Sequence, residues 1–105
     1  MLNQVIVVGR LAKDVEIIEE ETGKKRAYIT LACTRSYKNA DGEYETDFID
    51  CVLWQMVAEN TAEYCHKGDV IGIKGRIQTY TKDNNKITQI VAEKVTFLSS
   101  KKQEE

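Results

Sequence analysis

Phe48 and Trp54 stand six residues apart. Six is an even spacing, so a β-strand running through both turns both rings to one face. A barrel strand normally carries polar residues on its outer face. Two large rings there are either a binding surface or a second core layer under a helix, and the pattern leaves both open. Lys74, Arg76 and Tyr80 share one parity further along, and Arg35, Tyr37 and Lys38 cluster at the end of an earlier segment. Rings of this kind stack on planar bases, at about 1–3 kcal/mol per base, while cations follow the phosphates. Together they are what sequence-tolerant binding of a nucleic-acid single strand requires. Each feature also has a plainer use. Tyrosines at strand ends seal a barrel with the ring and leave the hydroxyl wet; Tyr28, Tyr44 and Tyr64 are assigned to that role, and Tyr37 and Tyr80 could share it. Arg35 and Lys38 beside a turn could be merely solvated.

Other chemistries find little to work with. There is one histidine, no glycine-rich phosphate loop and no nucleophile–base pair. Asp47 and Asp50 are close in sequence, but their odd spacing puts them on opposite strand faces. Cys33, Cys51 and Cys65 are odd in number and form no C-x-x-C pair, so a disulfide framework and a zinc site are both unexpected. No metal or cofactor is expected, and no catalysis. No apolar stretch approaches the roughly 20 residues of a membrane helix, so no membrane partner is expected. The N-terminus lacks the charged opening of a signal peptide. A cytoplasmic, nucleoid-associated location is the expectation.

The formal net charge is -2. Its distribution says more than its sum. Residues 1–66 hold 7 basic and 12 acidic side chains, whereas residues 67–102 hold 8 basic and 3 acidic. The C-terminal half can therefore carry a positive surface on an acidic protein.

The positioning elements follow from the apolar pattern. Leu2, Val5-Ile6-Val7-Val8 and Leu11 make a first strand that is apolar on both faces, with Gly9 marking a bulge or bend. A strand whose outer face is apolar calls for another subunit. Val15-Glu16-Ile17-Ile18 continues or returns that strand, and residues 19–23 form a polar turn. A second strand over 24–35 places Ala27, Ile29, Leu31 and Cys33 opposite Tyr28, Thr30, Ala32 and Thr34. Asn39-Ala40-Asp41-Gly42 turns the chain into a third strand over 44–54. There Ile49, Cys51 and Leu53 oppose Phe48, Asp50, Val52 and Trp54. Helical spacing of Ala58, Thr61-Ala62 and Cys65 predicts a helix over 57–66, with Gly68 as its left-handed cap. A fourth strand puts Ile71, Ile73, Gly75 and Ile77 on one face. A polar hairpin over 82–86 leads to a fifth strand over 87–98, whose alternation breaks at Ile90-Val91. Five strands with one helix between the third and fourth is the order of an OB-fold, an all-β Greek-key barrel. One domain over 1–98 and a short, polar, frayed tail over 99–105 are expected.

The chain resembles the bacterial single-stranded DNA-binding protein family along nearly its whole length. The resemblance is carried by the order and spacing of Met1-Leu2-Asn3-Gln4-Val5, Val8-Gly9-Arg10-Leu11, Asp14 with Glu16, Ile29-Thr30-Leu31-Ala32, Thr46-Asp47-Phe48-Ile49, Trp54 with Ala58-Glu59-Asn60, Lys67-Gly68 and Gly75-Arg76-Ile77-Gln78-Thr79. It implies an OB-fold, a homotetramer paired through the first strand, and binding and protection of single-stranded DNA in replication, recombination and repair. It implies base stacking by Tyr37, Phe48 and Trp54, with Tyr80 as counterpart of a further aromatic in a hairpin shorter here than is usual. Lys67 falls at a basic family position; with Arg35, Lys38, Lys74 and Arg76 it completes the expected phosphate contacts.

Three departures stand out. Asp50 shares the Phe48/Trp54 face, where it repels phosphates but could accept from an exocyclic base amine. Gln4 and Met56 replace cationic family positions, which implies weaker or less salt-sensitive binding. The family's acidic-hydrophobic tail tip has no equivalent in Lys101-Lys102-Gln103-Glu104-Glu105. Tail-mediated recruitment of replication enzymes is therefore not expected, whether the chain is a shortened one or a short accessory form. The alternative function is an OB-fold accessory protein of primosome type that works through protein contacts and needs no exposed rings.

Overall fold

The structure is a computed structural model, and it describes residues 1–100. Most of the expected tail, residues 101–105, lies outside the described residues.

The elements in chain order are β1 (Val5–Leu11), β2 (Ile17–Glu19), β3 (Lys25–Lys38), β4 (Tyr44–Trp54), α1 (Gln55–Tyr64), β5 (Val70–Lys82) and β6 (Asn85–Ser99). The strands follow the order β1-β5-β6-β4-β3, and β1 also pairs with β3, which closes a five-stranded barrel. All pairings are antiparallel except β4 with β6. The expected second to fifth strands are β3, β4, β5 and β6. The Val15–Ile18 stretch resolves as a continuation: β2 is a three-residue strand that runs in the direction of β1, both antiparallel to β3, and pairs further along it.

Period-two alternation builds the core. Ala27, Ile29 and Leu31 face Leu53, Cys51 and Ile49 across β3 and β4, and Leu11, Ile71, Ile73, Ile90 and Ala92 join them. The break in alternation at Ile90-Val91 has a simple origin. Ile90 and Ala92 enter the core, while Val91 lies on the other face beside Val52, its parallel partner. Val52 and Val91 are both buried.

Two glycines mark close approaches of backbone. A Cβ on Gly75 would lie 2.1 Å from the Val91 carbonyl oxygen, where β5 and β6 shift register. A Cβ on Gly9 would lie 2.8 Å from both the Ala32 carbonyl oxygen and the Cys33 sulfur. Gly9 stays in regular register with Ile71, so no bulge occurs there; the residue is small because β1 crosses β3 at the seam of the barrel.

The helix begins and ends two residues earlier than the spacing predicts. It follows Trp54 directly, and Ala58 and Thr61 are its buried face, packed toward the end of the barrel. Gly68 does not cap it. The last helical bond runs from the Cys65 N–H to Thr61 O, and Cys65 is already extended. Gly68, with φ +94°, is the third residue of the next turn, closed by the Asp69 N–H on His66 O at 3.0 Å. A positive φ at that position is the type II pattern.

The outer face of the β1–β5–β6 sheet carries an exposed apolar patch. Ile6 is 70% exposed, Val8 53% and Leu98 49%. With Gly72, Lys74 and Thr96 they line a shallow groove of about 220 Å³.

Candidate nucleic-acid interface

β3 and β4 present a continuous outward face. Their cross-strand pairs there are Arg26 with Trp54, Tyr28 with Val52, Thr30 with Asp50, Ala32 with Phe48 and Thr34 with Thr46. Phe48 is 66% exposed, because Ala32 opposite is too small to cover it. Trp54 is half-buried at the point where β4 becomes α1. Two cations approach its ring, Lys24 Nζ and Arg26 Cζ, each 5.9 Å from the centroid. Arg26 also lies 5.6 Å from the Tyr28 centroid and is ion-paired with Glu20. These distances are within cation–π range.

The β5–β6 hairpin brings Tyr80 to the same region. Its two-residue turn, Asp83-Asn84, has φ of 53° and 67°, and Lys82 pairs with Asn85 across it. Positive φ at both positions is the type I′ hairpin that suits the twist of the strands. Tyr80, Tyr28, Thr30 and Asp50 line one cleft of about 270 Å³, together with Lys13 and Gln89. Thr30 Oγ1 donates to Asp50 Oδ1 at 2.7 Å.

The other expected residues are placed less uniformly. Tyr37 is exposed on the β3–β4 hairpin arm, where the register slips between Thr34 and Lys38. Lys38 lies 5.7 Å from the centroid of the Tyr44 ring, its cross-strand partner. Arg35 has the parity opposite to Phe48. It donates through Nε and Nη2 to Asp47 at 3.0 and 2.9 Å, and through Nη1 to Glu45 at 2.8 Å. The hydrogen bonds from Arg35 hold the Asp47 carboxyl below its ordinary range, and Asp47 in turn raises Arg35. Arg76 is ion-paired with Glu93 at 2.9 Å. Lys74 sits beside Ile6 on the apolar β1–β5–β6 face, away from the rings. Lys67 is exposed in the loop after α1, where its N–H donates to Asp14 at 2.8 Å.

The structure therefore gathers Phe48, Trp54, Tyr80 and Asp50 and adds Tyr28, Arg26 and Lys24, which the sequence reading did not select. The parity of β3 carried the signal for Tyr28: it alternates with Ala27 and Ile29, both core residues. Among the described residues no group of three or more histidine, cysteine or acidic side chains could hold a metal ion. No helix among them is long and apolar enough to cross a membrane.

Residues 2–98 match the sequence profile of the Single-strand binding protein family. The chain belongs to that family. Among curated members, it is 45% identical over 109 residues to Single-stranded DNA-binding protein B of Bacillus subtilis (strain 168), covering 99% of this chain and 96% of that one. It is 47% identical over 103 residues to the Single-stranded DNA-binding protein of Halalkalibacterium halodurans, covering 93% of this chain but 61% of that one. Single-strand binding family members thus differ in how much chain lies beyond the shared region. A crystal structure of the single-stranded DNA binding protein from Thermus aquaticus superposes with a TM-score of 0.79 at 21% identity, over 95% of this chain and 52% of that chain. That likeness establishes the OB-fold barrel.

Proposed function

We propose that the chain binds single-stranded DNA with little sequence preference and protects it during replication, recombination and repair, making and breaking no covalent bond. The observation that carries this reading is the outward β3–β4 face, where Phe48 is left open and Trp54 and Tyr28 are held beside cations. Stacking on rings is sequence-tolerant because every base has a π-face. The names of the curated relatives support the same ligand.

In this reading Phe48, Trp54 and Tyr80 stack bases, with Tyr37 on the hairpin arm extending the path and Tyr28 adding a ring. Lys38, Lys67, Arg35 and Arg76 contact phosphates, whereas Lys74, in the groove with Ile6 and Val8, lies off this path. Arg35 and Arg76 do so by sharing or exchanging their carboxylate partners, so the lysines contribute more. The protein works as a homotetramer, paired through the outer face of β1, in the cytoplasm with the nucleoid. The exposed Ile6, Val8 and Leu98 support that assembly.

Titration of labelled oligo-dT and of a duplex of equal length tests the function. Saturable binding to oligo-dT, with the duplex weaker by orders of magnitude, is expected. Equal affinity for both, or binding to neither, contradicts it.

A further inference from the structure

Asp50 is out of place on a surface for a polyanion. It lies on the ring face, between Phe48 and Trp54 in β4, and is exposed. No lysine or arginine is ion-paired with it among the described residues. Its one hydrogen bond among them is the 2.7 Å contact from the Thr30 hydroxyl to Oδ1. That contact commits the hydroxyl proton of Thr30 to the carboxylate. An aspartate at neutral pH is acceptor-only. The Thr30–Asp50 pair consequently offers the cleft nothing but acceptors, and Oδ2 is left without a partner.

We propose that Asp50, oriented by Thr30, is a specificity-determining residue that favours bases carrying an exocyclic amine, cytosine above all among the pyrimidines, over thymine and uracil. The proposal deepens the single-strand binding reading and rests on it. Asp50 shares its cleft with Tyr28 and Tyr80, so a base brought in against those rings presents its edge to the carboxylate. Cytosine presents the N4 amine, a donor that carboxylates accept from. Uracil and thymine present O4 in its place, and a carbonyl oxygen against a carboxylate is repulsive. Lys13 and Gln89 line the same cleft and carry donors, which suits the O2 and N3 acceptors of cytosine. Discrimination thus comes from one attractive and one repulsive contact at the same atom position. It also explains a negative charge on the path of the phosphates: the repulsion falls on every strand alike, and an amine at that atom position offsets it.

The test compares oligo-dC with oligo-dU of equal length, both long enough for a single site. These pyrimidines differ only along the edge Asp50 would meet. End-labelled oligonucleotides are followed by anisotropy at mildly alkaline pH, where cytosine is neutral. The wild type should prefer oligo-dC by about tenfold. Asp50→Asn removes the charge and can donate as well as accept. It should tighten both complexes and bring their ratio close to one. Circular dichroism verifies that the variant is folded, and Thr30→Val, which frees the carboxylate to rotate, should shrink the ratio without abolishing binding. A wild-type ratio near one, or an unchanged ratio in a folded Asp50→Asn protein, overturns the assignment of Asp50 and leaves single-strand binding standing. Failure to bind either oligonucleotide overturns both.

Discussion

Cys51 is 1% exposed and faces the core beside Ile29. Burial pushes its thiol up from the ordinary 9.0 to about 12, with the Asp50 carboxylate adding to the effect. Burial raises Cys65 too. The thiolate is the nucleophile, so neither residue should react with a maleimide in the folded protein at neutral pH, whereas all three cysteines should react in denaturant. Mass spectrometry counts the adducts; rapid native labelling of Cys51 would mean that the barrel opens. The same thiol gives a pH dependence. Its folded value lies above its unfolded one, so the stability it contributes is complete below about 9 and is lost as the pH rises toward about 12. The melting temperature should fall across that window, and Cys51→Ala should flatten the fall while lowering stability at neutral pH. At this same scale, the ring face was legible in part. The even spacing of Phe48 and Trp54 put them together, and the structure agrees. Beside a turn, the sequence offers Arg35 either to a phosphate or to solvent. Its partners, Glu45 and Asp47, lie on the returning strand, and no local spacing reveals which face a long side chain takes once the hairpin leaves the barrel.

Strands β3 and β4 were legible because alternation is a local property, and Ala27, Ile29 and Leu31 follow it without a break. The barrel itself was legible in the order of strands and helix, but the pairing that closes it was not. Closure depends on β1 meeting β3 at Arg10–Ala32 and Leu11–Leu31, a pairing between segments whose sequences carry no mark of each other. Gly9 was visible as special but for a different reason than a bulge. The helix boundary slipped because Trp54 belongs to both elements: it closes β4 and precedes Gln55, whose φ of 54° turns the chain sharply into α1. The glycines give the test at this scale. Gly75→Ala forces a methyl onto the Val91 carbonyl and should destabilise by about 1–3 kcal/mol, with Gly9→Ala in the same range. Gly72→Ala meets the side chains of Val8 and Leu98 at 3.6 and 3.7 Å and the Val7 carbonyl oxygen at 4.0 Å, all ordinary contact, and should shift stability by within about 0.5 kcal/mol. Urea melts of the three variants check the order; a harmless Gly75→Ala would contradict the close approach of β5 and β6.

For the whole molecule, the proposed function assigns the two faces of the barrel different work. The β1–β5–β6 face is apolar and open in the single chain, with Ile6 alone 70% exposed, and a monomer would leave it in water. Light scattering at micromolar concentration should give about four times the chain mass of 12.0 kDa. Val8→Glu should shift the mass downward, because a charge on this face would be buried unpaired at the interface. The monomer mass for the wild type would remove the assembly. The β3–β4 face carries the central claim, that its rings meet bases. The chain has one tryptophan, and it sits on that face, half-buried and flanked by Lys24 and Arg26. Its fluorescence therefore reports on the site without a label. Titration with oligo-dT should quench Trp54 strongly and saturably, and Trp54→Ala should weaken binding by about 1–3 kcal/mol for each base it stacks while the barrel stays folded. Unchanged Trp54 emission at saturating oligo-dT would contradict the account.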